Sequence, residues 1–150
     1  IEKIKRELKI NTKEVSVLET QQSNLFWKNT QSLTVFSNLK NNLLRIVAPP
    51  SETFQLIQKL KKYNISYFVD WGGNLIWLEI QKINTKILKE INDIVKSVKG
   101  YVIAIKIEEH LKAQVDIFAI DPIKYRITEK IKKSFDPKRI LNPGKMYIGI

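Results

Sequence analysis

The sequence predicts an α+β fold in which an antiparallel four-stranded sheet carries helices on one face. The first observation is element order, because residues 43–107 alternate between strand-like and helix-like apolar patterns as β-α-β-β-α-β. The second is composition, since 43% hydrophobic and 27% charged residues are typical of a globular chain. Together they indicate the ferredoxin-like pattern in a chain of 150 residues, the length of one ordinary domain.

The first strand and the first helix of this pattern are separated by two prolines. Residues 43–48 are mostly apolar, as in a strand, and Pro49-Pro50 would interrupt the hydrogen-bond ladder. Ser51 is expected to cap the helix that follows, because a serine oxygen accepts from the free backbone amides of a first turn. Three apolar residues line its predicted buried face: Phe54, Ile57 and Leu60.

Paired glycines mark a hairpin in the middle of the pattern. Gly72-Gly73 lies between two β-rich segments, residues 65–71 and 74–80. Glycine adopts the positive φ of a tight turn at no steric cost, so these two segments are expected to pair as neighbouring strands.

The second helix has recognisable signals at both ends. Asn84 is a favoured N-cap residue, and Gly100 is expected to supply the left-handed backbone that often follows a helix. Residues 101–107 then form the fourth strand. Apolar residues at helical spacing give the helix a predicted buried stripe: Ile87, Ile91, Ile94 and Val98.

An α-β piece is predicted before this unit. Residues 1–10 are expected to be helical, and residues 14–19 alternate as a short strand would. Ser23 is expected to cap a further helix that ends at about residue 32. Three large apolar residues of that helix are expected to be partly buried: Leu25, Phe26 and Trp27.

A last helix and a tail are predicted after the unit. Residues 113–120 are expected to be extended, and Asp121 followed by Pro122 is a common way to begin a helix. Asp136-Pro137 is expected to end it. Its apolar residues repeat at every fourth position and are expected to face the core: Ile123, Ile127, Ile131 and Phe135.

Composition excludes several classes of site. The chain has no cysteine, so it forms no disulfide, thiolate metal site or thiol nucleophile. Its one histidine, His110, cannot build a polyhistidine metal centre, and we expect no metal site. No apolar run approaches the ~20 residues that span a bilayer. No residue is identified as catalytic from the sequence.

The C-terminal tail has the most specific motif. Residues 132–146 read K-K-S-F-D-P-K-R-I-L-N-P-G-K-M. Two X-Pro turns within a few residues fold the chain back sharply. This run resembles the C-terminal signature of FAD-linked oxidases of the vanillyl-alcohol oxidase type. The alternative is a structural turn that contacts no ligand.

Two further motifs narrow the resemblance. Residues 44–50 read L-R-I-V-A-P-P, and residues 69–73 read V-D-W-G-G. Phe26-Trp27 precedes both of them. In this order, and together with the tail, the motifs resemble the smaller, FAD-binding (E) subunit of bacterial glycolate oxidase.

The resemblance implies a function and partners. It implies the C-terminal, substrate-side domain of a flavoprotein that oxidises a 2-hydroxy acid to a 2-oxo acid by hydride transfer to FAD. The chain begins at Ile1 rather than Met, and FAD is expected to be bound mainly by an upstream domain outside it, so the chain alone is expected to be inactive. A larger flavin subunit and an iron–sulfur subunit are implied partners, in the cytoplasm or at the periphery of the inner membrane.

A charge within an apolar strand is the leading candidate site residue. Arg45 is a candidate clamp for the substrate carboxylate, because a guanidinium pairs with a carboxylate in a bidentate manner. The alternatives are an ion pair with Asp70 or another acid, and simple surface exposure. Further candidates, expected to face the cofactor domain unless they only form turns, are Asp70, Trp71, Gly72, Gly73, Asn142, Pro143, Gly144 and Lys145.

The net charge of +11 at pH 7 supports a hypothesis from another class. A stand-alone ferredoxin-like module that binds RNA or a small ligand would stack bases on strand aromatics such as Tyr67 and Trp77. The charge is mostly dispersed lysine and no RNP-like motif is present, so binding to nucleic acid is the less favoured hypothesis. A domain that only docks subunits is the third.

Overall fold

The computed structural model describes residues 3–4, 6–7, 16–36, 41–112, 114, 121–144 and 147. The chain falls into two compact units, Ile1–Ser37 and Asn38–Ile150. Most of the predicted helix 1–10, the start of the predicted strand 14–19 and nearly all of the predicted extended segment 113–120 lie outside the described residues. None of the described helices is both long enough and apolar enough to cross a bilayer.

The smaller unit contains helix α1, Thr20–Gln31. Glu19 is its N-cap residue, and the Glu19 amide donates to Oε1 of Gln22 at 3.3 Å. The prediction that Ser23 caps this helix is therefore wrong, and residues 16–19 form no strand. Helical backbone is also found at Lys3, Ile4, Arg6 and Glu7. The prediction of partial burial is wrong for three exposed side chains, Leu25, Phe26 and Trp27.

The larger unit has the predicted element order. Its strands are β1 Asn42–Val47, β2 Ile65–Asp70, β3 Leu75–Ile80 and β4 Tyr101–Lys106. Its helices are α2 Pro50–Leu60, α3 Thr85–Ser97, the short α4 Glu109–Lys112 and α5 Pro122–Phe135. The strands are hydrogen-bonded in the order β2-β3-β1-β4, and every pair is antiparallel. This is the ferredoxin-like arrangement, so the predicted α+β fold class is confirmed.

One face of the sheet and two helices form the core. The sheet side chains in it come from alternate positions of the strands, because a strand turns every second side chain to the same face. They are Leu44, Ile46, Ile76, Leu78, Ile80, Val102 and Ala104. The helices contribute Leu56, Ile57 and Leu60 from α2, and Leu88, Ile91 and Val95 from α3. Both helices therefore pack on one face, as predicted.

Helix α2 begins two residues earlier than the sequence predicts. Pro49 is the N-cap residue and Pro50 is the first helical residue, so Ser51 does not cap the helix. A proline suits a first helical position because its fixed φ is helical and it has no amide to leave unpaired. Phe54 is 71% exposed, which contradicts its predicted burial. The buried face is centred on Leu56 instead, with its neighbours Thr53, Ile57 and Leu60.

Helix α3 begins as predicted but ends differently. Oδ1 of Asn84 accepts from the Ile87 amide at 2.8 Å, which confirms the predicted cap. At the other end the left-handed residue is Lys99, with φ 59°, and not Gly100. A Cβ atom on Gly100 would lie 2.7 Å from the backbone oxygen of Val47. Glycine is therefore required here because the helix exit passes close to strand β1.

The predicted hairpin joins β2 and β3, but its turn is longer than a two-residue turn. Asp70 pairs with Leu75, so four residues lie between the paired positions. Three consecutive residues have positive φ, namely Trp71 at 53°, Gly72 at 60° and Gly73 at 98°. The glycines adopt this conformation readily, whereas it is unusual for a bulky tryptophan.

Helix α5 has the predicted ends and an unexpected face. Oδ1 of Asp121 accepts from the amides of Ile123 and Lys124, and the helix ends before Asp136. The apolar side chains predicted to face the core are exposed, which corrects that prediction: Ile123 by 63%, Ile127 by 54%, Ile131 by 55% and Phe135 by 84%. The spacing correctly predicts that these four side chains share one face of the helix. Helical spacing alone does not show which surface packs against that face.

Candidate functional site

The sheet face opposite α2 and α3 presents a row of four side chains, one from each strand. Phe68 pairs with Trp77, Trp77 with Arg45, and Arg45 with Ile103. Paired residues point to the same face, and all four side chains are half-buried. We call these four residues the Arg45 row. It places one cation in the middle of an apolar and aromatic surface.

The Arg45 guanidinium lies against two indole rings. Its central carbon lies 5.2 Å from the ring centre of Trp71 and 5.7 Å from that of Trp77. The negative face of an aromatic ring attracts a cation at such distances. Nε of Arg45 is buried and has no hydrogen-bond partner among the residues that the structure describes. The contacts shown for the charge are therefore with two aromatic rings.

Neither structural alternative for Arg45 is found. Within the described part of the chain, no carboxylate forms an ion pair with it, and Oδ1 of Asp70 accepts from the Trp71 amide at 2.7 Å. The half-burial of Arg45 also excludes simple surface exposure. A cation without a protein counter-ion is a group that an anionic ligand can bind.

The turn that positions Trp71 is anchored to the first turn of α2. Oγ1 of Thr53 donates to the carbonyl oxygen of Gly73 at 2.5 Å. A Cβ atom on Gly73 would lie 3.3 Å from Cβ of Pro50, so the two backbones are in close approach. The Asp70 carboxylate holds the other end of the turn through the Trp71 amide. These contacts fix the backbone of Trp71 while its side chain remains 60% exposed.

A buried acid lies on the same face without pairing with Arg45. Glu79 is 8% exposed and belongs to β3, two residues beyond Trp77. Its Oε1 accepts from Nδ2 of Asn41 at 3.2 Å. In the β1–β3 register Glu79 is opposite Leu43, so it does not face Arg45 across the strand pair.

The tail after α5 is held by a compact polar contact that we call the tail lock. Nζ of Lys132 lies 2.7 Å from Oδ2 of Asp136 and also donates to the Leu141 carbonyl. The Asp136 carboxylate accepts from the amides of Ile140 at 3.0 Å and Leu141 at 2.9 Å. The hydrogen bond from Lys132, helped by the two amides, lowers the pKa of Asp136 to about 2.

The structure places the predicted site residues in two regions. Arg45 and Trp71 are in contact, and Asp70, Gly72 and Gly73 form the turn that holds Trp71. The second region is the turn just after the tail lock. It contains Asn142, Pro143 and Gly144, with φ of 47° at Asn142 and 66° at Gly144. Lys145 lies outside the described residues.

Two residues of the first region, Thr53 and Trp77, are not predicted from the sequence as neighbours of the Arg45 site. The RNA-binding hypothesis groups Trp77 with Tyr67 as a base-stacking surface, but Tyr67 is opposite Leu78 and so lies on the helix-covered face. The two aromatic rings therefore cannot form one stacking platform. The contact of Trp77 with Arg45 follows from the β1–β3 register, which joins segments about thirty residues apart and leaves no local signal.

The comparison with known proteins concerns α5 and the tail. Residues 117–146 match the family model described as FAD linked oxidases, C-terminal domain. This segment is similar to the C-terminal domain of FAD-linked oxidases. The match covers about a fifth of the chain and includes the tail lock. No curated protein and no solved structure matches the chain.

Proposed function

We propose that this chain is the substrate-side domain of an FAD-linked oxidase, a flavin-dependent oxidoreductase. The observation on which the proposal rests is the family match over residues 117–146, which includes all of α5 and the tail lock. The Arg45 row supports it, because a half-buried aromatic surface with one cation suits a planar cofactor and an anionic substrate.

We propose that this chain contacts only the flavin ring of FAD and not its diphosphate. A flavin dinucleotide is commonly held through its diphosphate by a glycine-rich loop at a helix N-terminus. Among the described residues, the paired glycines Gly72 and Gly73 join two strands instead. The aromatic side chains of the Arg45 row fit the flavin ring but not the diphosphate. We therefore assign most of the FAD binding to another domain and no turnover to this chain alone.

The proposed reaction is the oxidation of a 2-hydroxy acid to a 2-oxo acid. The α-carbon C–H bond and the hydroxyl O–H bond break as the new C=O bond forms: FAD, when bound, would accept the hydride, and the proton would pass to water. Arg45 binds the substrate carboxylate and so orients the α-carbon. Trp77 stacks on the guanidinium and limits its contact with water, which strengthens its attraction for the carboxylate. The resemblance to the glycolate oxidase E subunit favours a small substrate.

The exposed face of α5 is proposed as the contact with the flavin-binding domain. Ile123, Ile127 and Ile131 are more than half exposed and follow one another along the helix at every fourth residue. The stripe lies within the segment that matches the oxidase family, and that segment also contains the tail lock. A larger flavin subunit and an iron–sulfur subunit of a glycolate oxidase-type complex are proposed as further partners, in the cytoplasm or at the inner membrane.

The test is flavin reduction in the complete enzyme. The chain is produced together with its flavin-binding domain, mixed anaerobically with glycolate or lactate, and followed through the loss of oxidised-flavin absorbance. We expect Arg45→Met to raise KM about ten- to a hundredfold, because a charge-assisted hydrogen bond is lost. Arg6→Met, at an exposed arginine of the smaller unit, is the matched control. Flavin that no 2-hydroxy acid reduces would contradict the proposed reaction.

A further inference from the structure

The two indole rings that flank Arg45 are held in very different ways. Trp77 lies within strand β3, is half-buried and pairs with Arg45 across the sheet. Trp71 lies in a turn, is 60% exposed and has a left-handed backbone at φ 53°. The next residue, Gly72, would meet no atom within 4 Å even if it carried a Cβ atom. Trp71 is therefore the ring that has room to move.

The Arg45 guanidinium also has an unmet hydrogen bond. Within the described part of the chain, its buried Nε donates to no group. A buried donor without an acceptor is costly, and an ionised donor is costlier than a neutral one. A carboxylate that accepted from Nε and from one terminal nitrogen would satisfy it in the bidentate geometry that guanidinium favours.

The backbone of Trp71 is strained in the state that covers Arg45. A left-handed φ is unfavourable for a bulky residue, and it persists only where neighbouring contacts impose it. Here those contacts are the hydrogen bonds of Asp70 to the Trp71 amide and of Thr53 to Gly73. The turn is thus held at both ends around an exposed ring.

We propose that Trp71 is a movable cover over Arg45, and that a small carboxylate displaces it to bind Nε side-on. The ligand class rests on the proposed function, since a 2-hydroxy acid presents such a carboxylate. Trp77 remains in place and stacks on the guanidinium in both states. Without a ligand, the Trp71 ring shields the guanidinium from water. The ring moves away only when an anion binds Arg45 strongly enough to offset the free-energy cost of displacing it.

The displacement is measured on the whole chain by fluorine NMR with 5-fluorotryptophan. The chain has three tryptophans, so three resonances are assigned by replacing each in turn with phenylalanine. Glycolate is the probe, glycolamide is its neutral counterpart, and sodium chloride at equal ionic strength is the salt control. We expect glycolate alone to shift the Trp71 resonance and to increase its sensitivity to exchange of H₂O for D₂O. The Trp27 resonance should not change.

Two variants of the chain distinguish a Trp71 ring that covers Arg45 from one that only positions the Arg45 side chain. Arg45→Met should abolish the glycolate-dependent shift of Trp71. Trp71→Ala should tighten glycolate binding about two- to fivefold, measured on the Trp77 resonance, because no stacked ring then has to be displaced. If Trp71 only positions the Arg45 side chain, Trp71→Ala should bind glycolate more weakly. Weaker binding there, a shift that survives Arg45→Met, or no shift with glycolate would each overturn the proposal.

The outcomes also distinguish this proposal from the proposed function. A Trp71 shift that depends on Arg45, in a protein whose flavin complex oxidises no 2-hydroxy acid, supports the cover and contradicts the function. Oxidation of glycolate by the complex, with a raised KM in Arg45→Met but without a Trp71 shift, supports the function and overturns the cover.

Discussion

Asn42 is a buried polar residue that joins three segments at one end of the sheet. Its Oδ1 accepts from the Glu108 amide at 2.9 Å, and its Nδ2 donates to Oε1 of Glu108 at 3.2 Å and to the Ile80 carbonyl at 3.4 Å. Only 3% of Asn42 is exposed. The side chain therefore satisfies groups at the start of β1, the end of β3 and the residues after β4.

Replacing this side chain should destabilise the larger unit. Asn42→Ala removes the side-chain acceptor of the Glu108 amide and the buried side-chain hydrogen bond to the Ile80 carbonyl, so we expect a loss of about 1–3 kcal/mol in the free energy of unfolding. Urea denaturation followed by circular dichroism measures it. Asn24→Ala, at an exposed position of α1, should change stability by less than about 0.5 kcal/mol. Equal effects of the two substitutions would contradict this role for Asn42.

At the scale of single residues, sequence reasoning succeeds where the cause is local. Asn84 and Asp121 are recognised as caps because a cap bonds to amides two or three residues away. Gly100 is misread because its neighbour is the Val47 oxygen, which is distant in sequence. Arg45 can be singled out as a charge in a strand, but the rings that flank it depend on strand register and turn conformation.

At the scale of elements, α5 and its tail form a small structure with its own electrostatics. The tail lock contains a nearly buried carboxylate, a lysine one helical turn away and two backbone amides. Tyr147, which is also buried, contacts the Tyr125 ring with centres 5.9 Å apart. The Asp136-Pro137 pair was predicted from sequence as a helix end, but the lock formed by the same aspartate was not.

The tail lock should open at low pH. The ordinary pKa of an aspartate, 3.8, is lowered to about 2 at Asp136. A lowered pKa means that the lock contributes fully above the ordinary value and is lost as the pH falls through the lowered one. Protection of the Ile140 and Leu141 amides from hydrogen exchange should therefore decrease between pH ~4 and ~2, after correction for the intrinsic exchange rate.

A variant without the charge tests the same prediction. Asp136→Asn should leave both amides weakly protected at every pH, with no titration step, because the paired charge is absent. A protection profile in Asp136→Asn that still changes between pH ~4 and ~2 would contradict the assignment to this carboxylate.

Element order was predictable and element partners were not. Residues 43–107 gave the strands and helices because apolar periodicity records which side of an element is buried. Phe54 shows the limit within a helix, since Ile57 and Leu60 are compatible with more than one choice of neighbouring face. The apolar stripe of α5 (Ile123, Ile127, Ile131 and Phe135) shows a second limit of periodicity. The spacing correctly predicts one apolar face, but the predicted burial of that face in the core is wrong.

At the scale of the larger unit, apolar side chains serve two different surfaces. The helix-covered face of the sheet is filled from within the unit, by residues such as Leu56 and Ile91. The α5 stripe has the composition of a core face but remains exposed to solvent. An exposed apolar stripe on a helix without a buried side chain supports the proposal that the flavin-binding domain covers it.

Binding of the flavin-binding domain should therefore depend on the α5 stripe. Ile127→Gln replaces an apolar contact in the middle of the stripe by a polar one, and burial of an isoleucine is worth about 1.5–3 kcal/mol. We expect affinity for the flavin-binding domain to fall at least about tenfold, measured by calorimetry. Ile127 is 54% exposed, so the thermal stability of the chain alone should not decrease.

Ile4→Gln, at an isoleucine of the smaller unit that is 61% exposed, is the matched control. If Ile127→Gln and Ile4→Gln bind the domain equally well, the stripe is not the contact surface and the docking proposal fails.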